Sequence, residues 1–362
     1  MLTIIADDLT GACDTGALFA GEAAVPVGVW PQVPRGGAVR VVDTETRTLD
    51  RRRAGERVAA AAEAAPARRY FKKIDSTLRG HVAVEVDAAL RATGAPGALL
   101  TPAFPAQGRV VLDRILLVDG RPVAATPLGR DPEGARRPSS SVVERLRHDL
   151  DRPLAWIPIE QVRAGAAALA ARLGRLSGTV AVADAETDDD LQRLVDAALA
   201  LEPAPLLIGA AGLAHALAAR LGLLAKRPSL PAGARWLVVA GSRHPATRAQ
   251  VAAARAAGMR VLASTEVDAP DRARVAARLA AEARRLLDAE GFDLLVVTGG
   301  QTAVALYRAL DGERLDLVGA PAPGLALGYV RTPHRPALAF VTKAGGFGAP
   351  DLLVSLWREA AA

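Results

Sequence analysis

"YFKKIDSTLRGHVAVEVDAALRAT", Tyr70–Thr93, decides how this chain is read. Tyr70–Ile74 is a short apolar-rich run that reads as a strand. From His81 to Thr93, the residues Val82, Val86 and Leu90 recur at helical spacing. Between the two stands a polar turn, Asp75 to Gly80. Strand, polar turn and helix make half of a βαβ unit, and such units build parallel sheets. The segment also holds Lys72 and Lys73, two of only four lysines; the others are Lys226 and Lys343. Nearly every other basic position is Arg, the bias of a GC-rich genome. The surviving lysines are therefore candidates for places that Arg does not fill.

The same alternation runs along the chain. Strand candidates are Leu2–Ile5, Val25–Trp30, Val39–Val42, Ala98–Thr101, Leu154–Ile159, Thr179–Ala183 and Leu206–Ile208. Trp236–Ala240, Arg260–Ala263, Leu294–Thr298 and Ala337–Thr342 follow, with helical segments such as Asp271–Glu290 between them. The 362 residues suit two domains. The Pro- and Gly-bearing stretch Lys226–Arg235 marks the boundary, giving domains 1–228 and 229–362. The expected class is α/β, each domain a mainly parallel β-sheet flanked by helices, with a ligand cleft between them. Gly129–Ser141 reads as a surface loop of the first domain.

Composition excludes several functions. Hydrophobic residues make up 51% of the chain, enough for a large core. The formal charge is +6, but Arg is interleaved with Asp and Glu along the helices, which reads as solvated faces rather than a nucleic-acid stripe. A mild positive field suits small anionic substrates. The single cysteine, Cys13, leaves no internal disulfide and no multi-Cys metal site. The start, "MLTIIADD", lacks the basic region of a signal peptide, and no apolar run is long enough for a membrane span, so a cytoplasmic protein is expected.

Ligands of open parallel sheets sit beyond the carboxyl ends of strands. After Leu2–Ile5 comes "ADDLTGACDTG", where Asp7, Asp8 and Asp14 stand close to Thr10 and Thr15. Clustered carboxylates repel one another unless positive charge lies among them. They suggest a pocket for a hydroxylated substrate or a carboxylate group beside Mg²⁺; helix capping is the plainer reading, and it explains one Asp. After Tyr70–Ile74, Lys73, Asp75, Ser76, Thr77 and Arg79 offer a guanidinium for a carboxylate and oxygens for sugar hydroxyls. A capped helix start with a salt bridge is the alternative there. "TPAFPAQGR" puts Arg109 after another strand.

The second half has three glycine turns, each after a strand. They are "AGSRHPATRAQ" with Ser242, "TGGQTA" with Gly299, Gly300, Gln301 and Thr302, and "TKAGGFG" with Lys343, Gly345 and Gly346. Glycines there let backbone N–H groups approach an anion, so the three together point to a nucleotide-phosphate site. No Walker P-loop and no dinucleotide G-x-G-x-x-G after a strand is present, nor a G-x-S-x-G elbow or H-E-x-x-H. His244 near Ser242 suggests a nucleophile–base pair, but Pro245 favours a helix first turn.

Six motifs, "IADDLTGACDTG", "KKIDSTLRG", "PAFPAQGR", "GSRHPAT", "TGGQTA" and "TKAGGFG", stand in the order found in the four-carbon acid sugar kinase family, which the chain resembles from first strand to last helix. The resemblance implies ATP- and Mg²⁺-dependent phosphorylation of a threonate, erythronate or 3-oxo-tetronate class acid. It implies a sugar-acid domain and a nucleotide domain, a homodimer being compatible with both. By motif, Asp7, Asp8, Arg47 of "DTETR", Lys73, Asp75, Ser76, Thr77 and Arg79 would face the sugar acid. Ser242, Gly299, Gly300, Gln301, Thr302, Lys343, Gly345 and Gly346 would face ATP. Arg79 would assist catalysis, and the base would be Asp8 or Asp75. The chain departs from the family at Cys13, where Asn is usual, at Gln301, where the turn reads Gly-Gly-Glu-Thr, and after Ser242. A non-catalytic binding regulator, or an ATP-independent enzyme on the same acids, are the rival readings.

Overall fold

The computed structural model describes residues 1–130, 139–264 and 271–361. Positions 131–138 of the expected surface loop lie outside the described residues. Two compact units are present. The first comprises Met1–Asp7 and Ala38–Leu224; the second comprises Asp8–Gly37 and the chain from Ala225 onward.

In the first unit, parallel strands lie in the order Val39–Asp43, Leu2–Ala6, Arg69–Lys73, Leu206–Gly209, Ala98–Thr101, Val180–Ala183, Leu154–Ile157. Leu2–Ala6 is buried at every position because helices cover both faces, and a continuous apolar run is what such a strand requires. Helix Val82–Thr93 follows Arg69–Lys73 as expected and buries Val82, Val86 and Leu90. Register sets the site: Ala6 lies beside Asp43 and Ile5 beside Lys72. Asp7, the Thr44–Arg47 turn and Asp75 therefore leave the sheet side by side.

In the second unit, Arg260–Ala263, Trp236–Ala240, Leu294–Thr298 and Leu338–Lys343 are parallel, and Leu325–Arg331, Arg314–Gly319 and Val25–Val29 continue antiparallel. Ala240 lies beside Thr298, and Thr298 beside Lys343, so the three glycine turns emerge at one level of one sheet edge. Trp236, Val238, Leu294, Val296 and Val341 form part of its core.

Two features differ from the sequence reading. Arg314–Gly319, Leu325–Arg331 and the small antiparallel sheet Arg109–Leu112, Ile115–Val118, Arg121–Pro122 were not among the strand candidates. Residues Asp8–Gly37, assigned by position to the first domain, pack in the second unit. Helix Leu9–Ala17 buries Leu9, Ala12, Cys13 and Ala17, and Val25–Val29 pairs with Arg314–Gly319 through Val27 opposite Leu315.

Candidate active site

The first unit gathers charge at the carboxyl edge of its sheet. Arg47 Nε donates to Asp7 Oδ2 at 2.8 Å, and Arg47 Nη2 lies 3.7 Å from Asp75 Oδ2. Arg79 Nη2 donates to Asp75 Oδ2 at 2.7 Å. Asp75 Oδ1 accepts from the Thr77 amide at 2.9 Å, the Thr77 hydroxyl at 2.6 Å and the Arg79 amide at 3.3 Å. The turn holds Leu78 at φ 60°, and Gly80 at φ 85°. The helix begins only after His81, which makes no side-chain cap, so Asp75 organises the turn rather than capping a helix.

Burial alone would raise the pKa of Asp75, but the charges of Arg79 and Arg47 and hydrogen bonds from Arg79 and Thr77 hold it well below the usual carboxylate range. Asp7 is also lowered: against its burial stand Arg47, Lys72 and Lys73. Its Oδ1 is buried with no hydrogen-bond partner among the described residues. Arg109 and Arg145 extend the cluster. Burial lowers the pKa of both, and the Asp75 charge opposes that shift; Asp119 also favours charged Arg109. Arg145 Nη1 donates to the Thr77 carbonyl at 2.8 Å. Five cations, Arg47, Lys73, Arg79, Arg109 and Arg145, thus surround the buried carboxylates Asp7 and Asp75, with exposed Asp119 offsetting Arg109. The arrangement has the polarity to accept an anion.

Lys72 and Lys73 divide their roles. Lys72 forms a fully buried ion pair with Glu85, Nζ to Oε2 2.7 Å, which fastens the helix to the strand. Lys73 Nζ donates to the Ile74 carbonyl at 2.9 Å and adds positive charge beside Asp7. Ser76 is half-buried.

Because the folded pKa of Asp75 lies below its unfolded value of about 3.9, the unfolded chain takes up a proton first as pH falls. Its stabilisation is complete above about pH 4 and is lost as pH falls toward the folded pKa. The stability gap between wild type and Asp75→Asn should therefore narrow as pH drops from 6 to 3. Urea midpoints across that range check this; a constant gap would contradict it.

In the second unit the glycine turns interlock. A Cβ on Gly241 would collide with Thr302 Oγ1, and one on Gly345 with Ser242 Oγ. Gly299 has φ 101°, a conformation that favours glycine, and lies against the Ser242 amide. A Cβ on Gly300 would stand 2.7 Å from Asp8 Oδ2 and 3.4 Å from Thr10 Oγ1. The first polar motif thus meets a glycine turn inside the second unit. Asp8 is the N-cap of helix Leu9–Ala17, accepting from the Gly11 amide at 3.0 Å and the Thr10 hydroxyl at 2.5 Å.

Gln301 and Thr302 lie in the first turn of helix Gly300–Ala309. His244 caps helix Pro245–Ala256, its Nδ1 accepting from the Ala246 amide at 3.2 Å, while Ser242 Oγ accepts from the His244 amide at 3.3 Å. That geometry is a helix first turn, as Pro245 indicates. Lys343 is fully buried, and its ammonium donates to the carbonyls of Ala344 and Phe347 at 2.7 and 2.9 Å; burial pushes its pKa down to about 8. These two bonds turn the ammonium onto its own loop. Sequence reasoning missed Arg145, Thr247 and Gln250. Only their place after a polar segment or glycine turn hinted at them.

Residues 2–217 match a model described as the sugar-binding N-terminal domain, and residues 260–353 one described as the nucleotide-binding C-terminal domain. A D-threonate kinase of Bordetella bronchiseptica is 35% identical, covering 97% of this chain and 95% of the relative. The chain belongs to the four-carbon acid sugar kinase family. A second member, the D-threonate kinase of Salmonella typhimurium, is 31% identical across 97% of this chain and 96% of its own. A Haemophilus influenzae protein shares the fold at TM-score 0.74 and 19% identity, over 99% of this chain and 98% of that one. Within this family frame, the six motifs fall on the two edges described above. No helix among the described residues is long and apolar enough to cross a membrane.

Proposed function

We propose that this protein is an ATP-dependent kinase of a four-carbon sugar acid, of the threonate, erythronate or 3-oxo-tetronate class. Its action is placed in the cytoplasm, with a homodimer as a compatible assembly. The observation that carries the reading is the contact of Asp8 with Gly300, which puts a carboxylate beside a glycine turn built for phosphate. Arg79, Arg47 and Lys73 supply the positive charge that holds the substrate carboxylate, while Ser76 and Thr77 meet its hydroxyls.

The surroundings of Asp75 support Asp8 as the base of the two candidates. The charges of Arg79 and Arg47 hold the pKa of Asp75 well down, so it accepts a proton poorly. Asp8 is the base: it takes the proton of the attacking hydroxyl next to the turn that holds the γ-phosphate. Phosphoryl transfer then rests on positioning and charge neutralisation. Ser242, Gly299, Gly300, Gln301, Thr302, Gly345 and Gly346 hold the nucleotide.

Among the described residues no group of three or more His, Cys, Asp or Glu forms a metal cage. Mg²⁺ that arrives on ATP needs only one or two protein oxygens, and the Gln301 side-chain carbonyl oxygen would supply one. Bound there, Mg²⁺ would neutralise phosphate charge. Gln301 is a neutral ligand where the family has a carboxylate, so Gln301→Glu should lower the Mg²⁺ concentration for half-maximal rate several-fold. Titrating Mg²⁺ at saturating ATP in both proteins checks this, and superimposable curves would refute it.

Gly346→Val tests the third turn. The nearest atoms to a Cβ there belong to the His244 ring, at 3.4 Å or more, and φ is not positive, so the variant should fold. A branched side chain beside the amides should weaken ATP about tenfold or more, a loss of at least ~1.4 kcal/mol. Sugar-acid affinity should hold. Unchanged ATP affinity would remove this turn from the site.

ADP release measured with threonate, erythronate and 3-oxo-tetronate tests the whole reading. Turnover with one of them is expected. Ligand binding without ADP release from any would identify a binding regulator, and conversion without ATP a different enzyme.

A further inference from the structure

Five of the carbonyl groups after Lys343 accept from buried side chains. Ala344 and Phe347 carbonyls accept from Lys343 Nζ at 2.7 and 2.9 Å. The Gly345 carbonyl accepts from the Thr247 hydroxyl at 2.7 Å. Phe347, Gly348 and Ala349 carbonyls accept from Gln250 Nε2 at 3.0, 3.0 and 2.9 Å. Three side chains, each no more than 1% exposed, gather five loop carbonyls. Gln250 Nε2 has two hydrogens for three acceptors, so they share it. Its Oε1 is buried with no partner among the described residues. The residue is thus kept for its donor end, although an unsatisfied buried acceptor is destabilising.

A trans peptide points its C=O and the next residue's N–H in opposite directions. Drawing the carbonyls of Ala344, Gly345 and Phe347 inward therefore turns the amides of Gly345, Gly346 and Gly348 outward. Those three amides make no hydrogen bond among the described residues, whereas the Ala344 and Phe347 amides do. Backbone donors must find partners, and neighbouring unpaired amides suit an anion. Gly345 and Gly346 also lie against Ser242 and the His244 ring, which brings the first glycine turn to the same spot.

We propose that Gln250, helped by Thr247 and Lys343, is a positioning residue that presents the Gly345, Gly346 and Gly348 amides to a phosphate of the nucleotide. This rests on the nucleotide reading above. Gln250 touches no ligand itself. It acts by holding the far side of the loop, so its effect falls on nucleotide affinity and not on the chemical step.

The test uses Gln250→Leu and Thr247→Val in the full chain, with ATP and inorganic tripolyphosphate titrated by calorimetry and thermal unfolding followed in parallel. Folded Gln250→Leu should bind both probes about tenfold more weakly, and Thr247→Val several-fold more weakly. The KM for ATP should rise while kcat at saturating ATP and the KM for the sugar acid stay near wild type. A merely structural role would lower the melting temperature and leave these affinities alone. If Gln250→Leu does not fold, Thr247→Val decides, and unchanged affinity in it overturns the proposal. Wild-type protein that binds nucleotide while both folded variants bind equally well sinks this inference alone; wild-type protein that binds no nucleotide sinks the kinase reading as well.

Discussion

Asp8→Asn is expected to lower kcat about a thousandfold while leaving the protein folded and able to bind ATP. General-base catalysis by a placed carboxylate contributes typically 10² to 10⁴ in rate. The substitution isolates that role because Asn caps a helix as well as Asp does. The bond from the Gly11 amide to the side-chain oxygen, 3.0 Å in the wild type, is retained, and helix Leu9–Ala17 keeps its start. The amide is nearly isosteric, so the close approach of Gly300 is preserved. What disappears is the proton acceptor. Single-turnover kinetics at saturating substrates measure the loss, and calorimetry confirms that ATP still binds. A kcat within fivefold of wild type would transfer the base role away from Asp8.

Arg79→Ala should raise the KM for the sugar acid about ten- to a hundredfold with nucleotide affinity almost unchanged. A hydrogen bond to a charged group contributes about 1.5–3 kcal/mol, and each ~1.4 kcal/mol is a factor of ten. Arg79 is the most exposed of the cations on the Asp75 turn, its side chain 26% exposed against 9% for Arg47, so it is the one best placed to meet a ligand. Arg47 remains 3.7 Å from Asp75 and keeps that carboxylate partnered in the variant. Arg79→Lys should recover part of the loss through its charge, but not the planar, two-pronged contact with a carboxylate. Wild-type kinetics in Arg79→Ala would take Arg79 out of the substrate site.

Much of this was legible in the residues. Tyr70–Thr93 announced a strand, a polar turn and a helix, and the structure has all three, shifted by a residue at the ends. The glycine turns were legible because each follows a buried apolar run. Arg314–Gly319 and Leu325–Arg331 were harder: Asp316, Arg314 and Arg331 break their apolar character, and only the antiparallel register brings Arg331 to the carboxylate that Arg314 meets within its own strand. The lysines show the same limit. Their rarity flagged Lys72 and Lys73 equally, yet only the fold separates a buried pair with Glu85 from a charge beside Asp7. Gln250 carries no signal in one dimension, since the carbonyls it gathers lie some hundred residues away in the chain.

The membership of Asp8–Gly37 in the second unit has a consequence for synthesis. These residues leave the ribosome well before the strand Arg314–Gly319 that pairs with Val25–Val29. Until then helix Leu9–Ala17 lacks most of the elements it packs on, and the edge of Val25–Val29 that pairs with Arg314–Gly319 is open. Domain-by-domain folding during translation is therefore closed to the second unit, and the nascent chain carries an apolar, edge-bearing segment for most of its elongation. A C-terminal fragment beginning at Ala225 would inherit the complementary defect, a sheet ending in an unprotected Arg314–Gly319 edge. Cells making this protein in quantity should show it engaged by chaperones until Arg314–Gly319 has emerged.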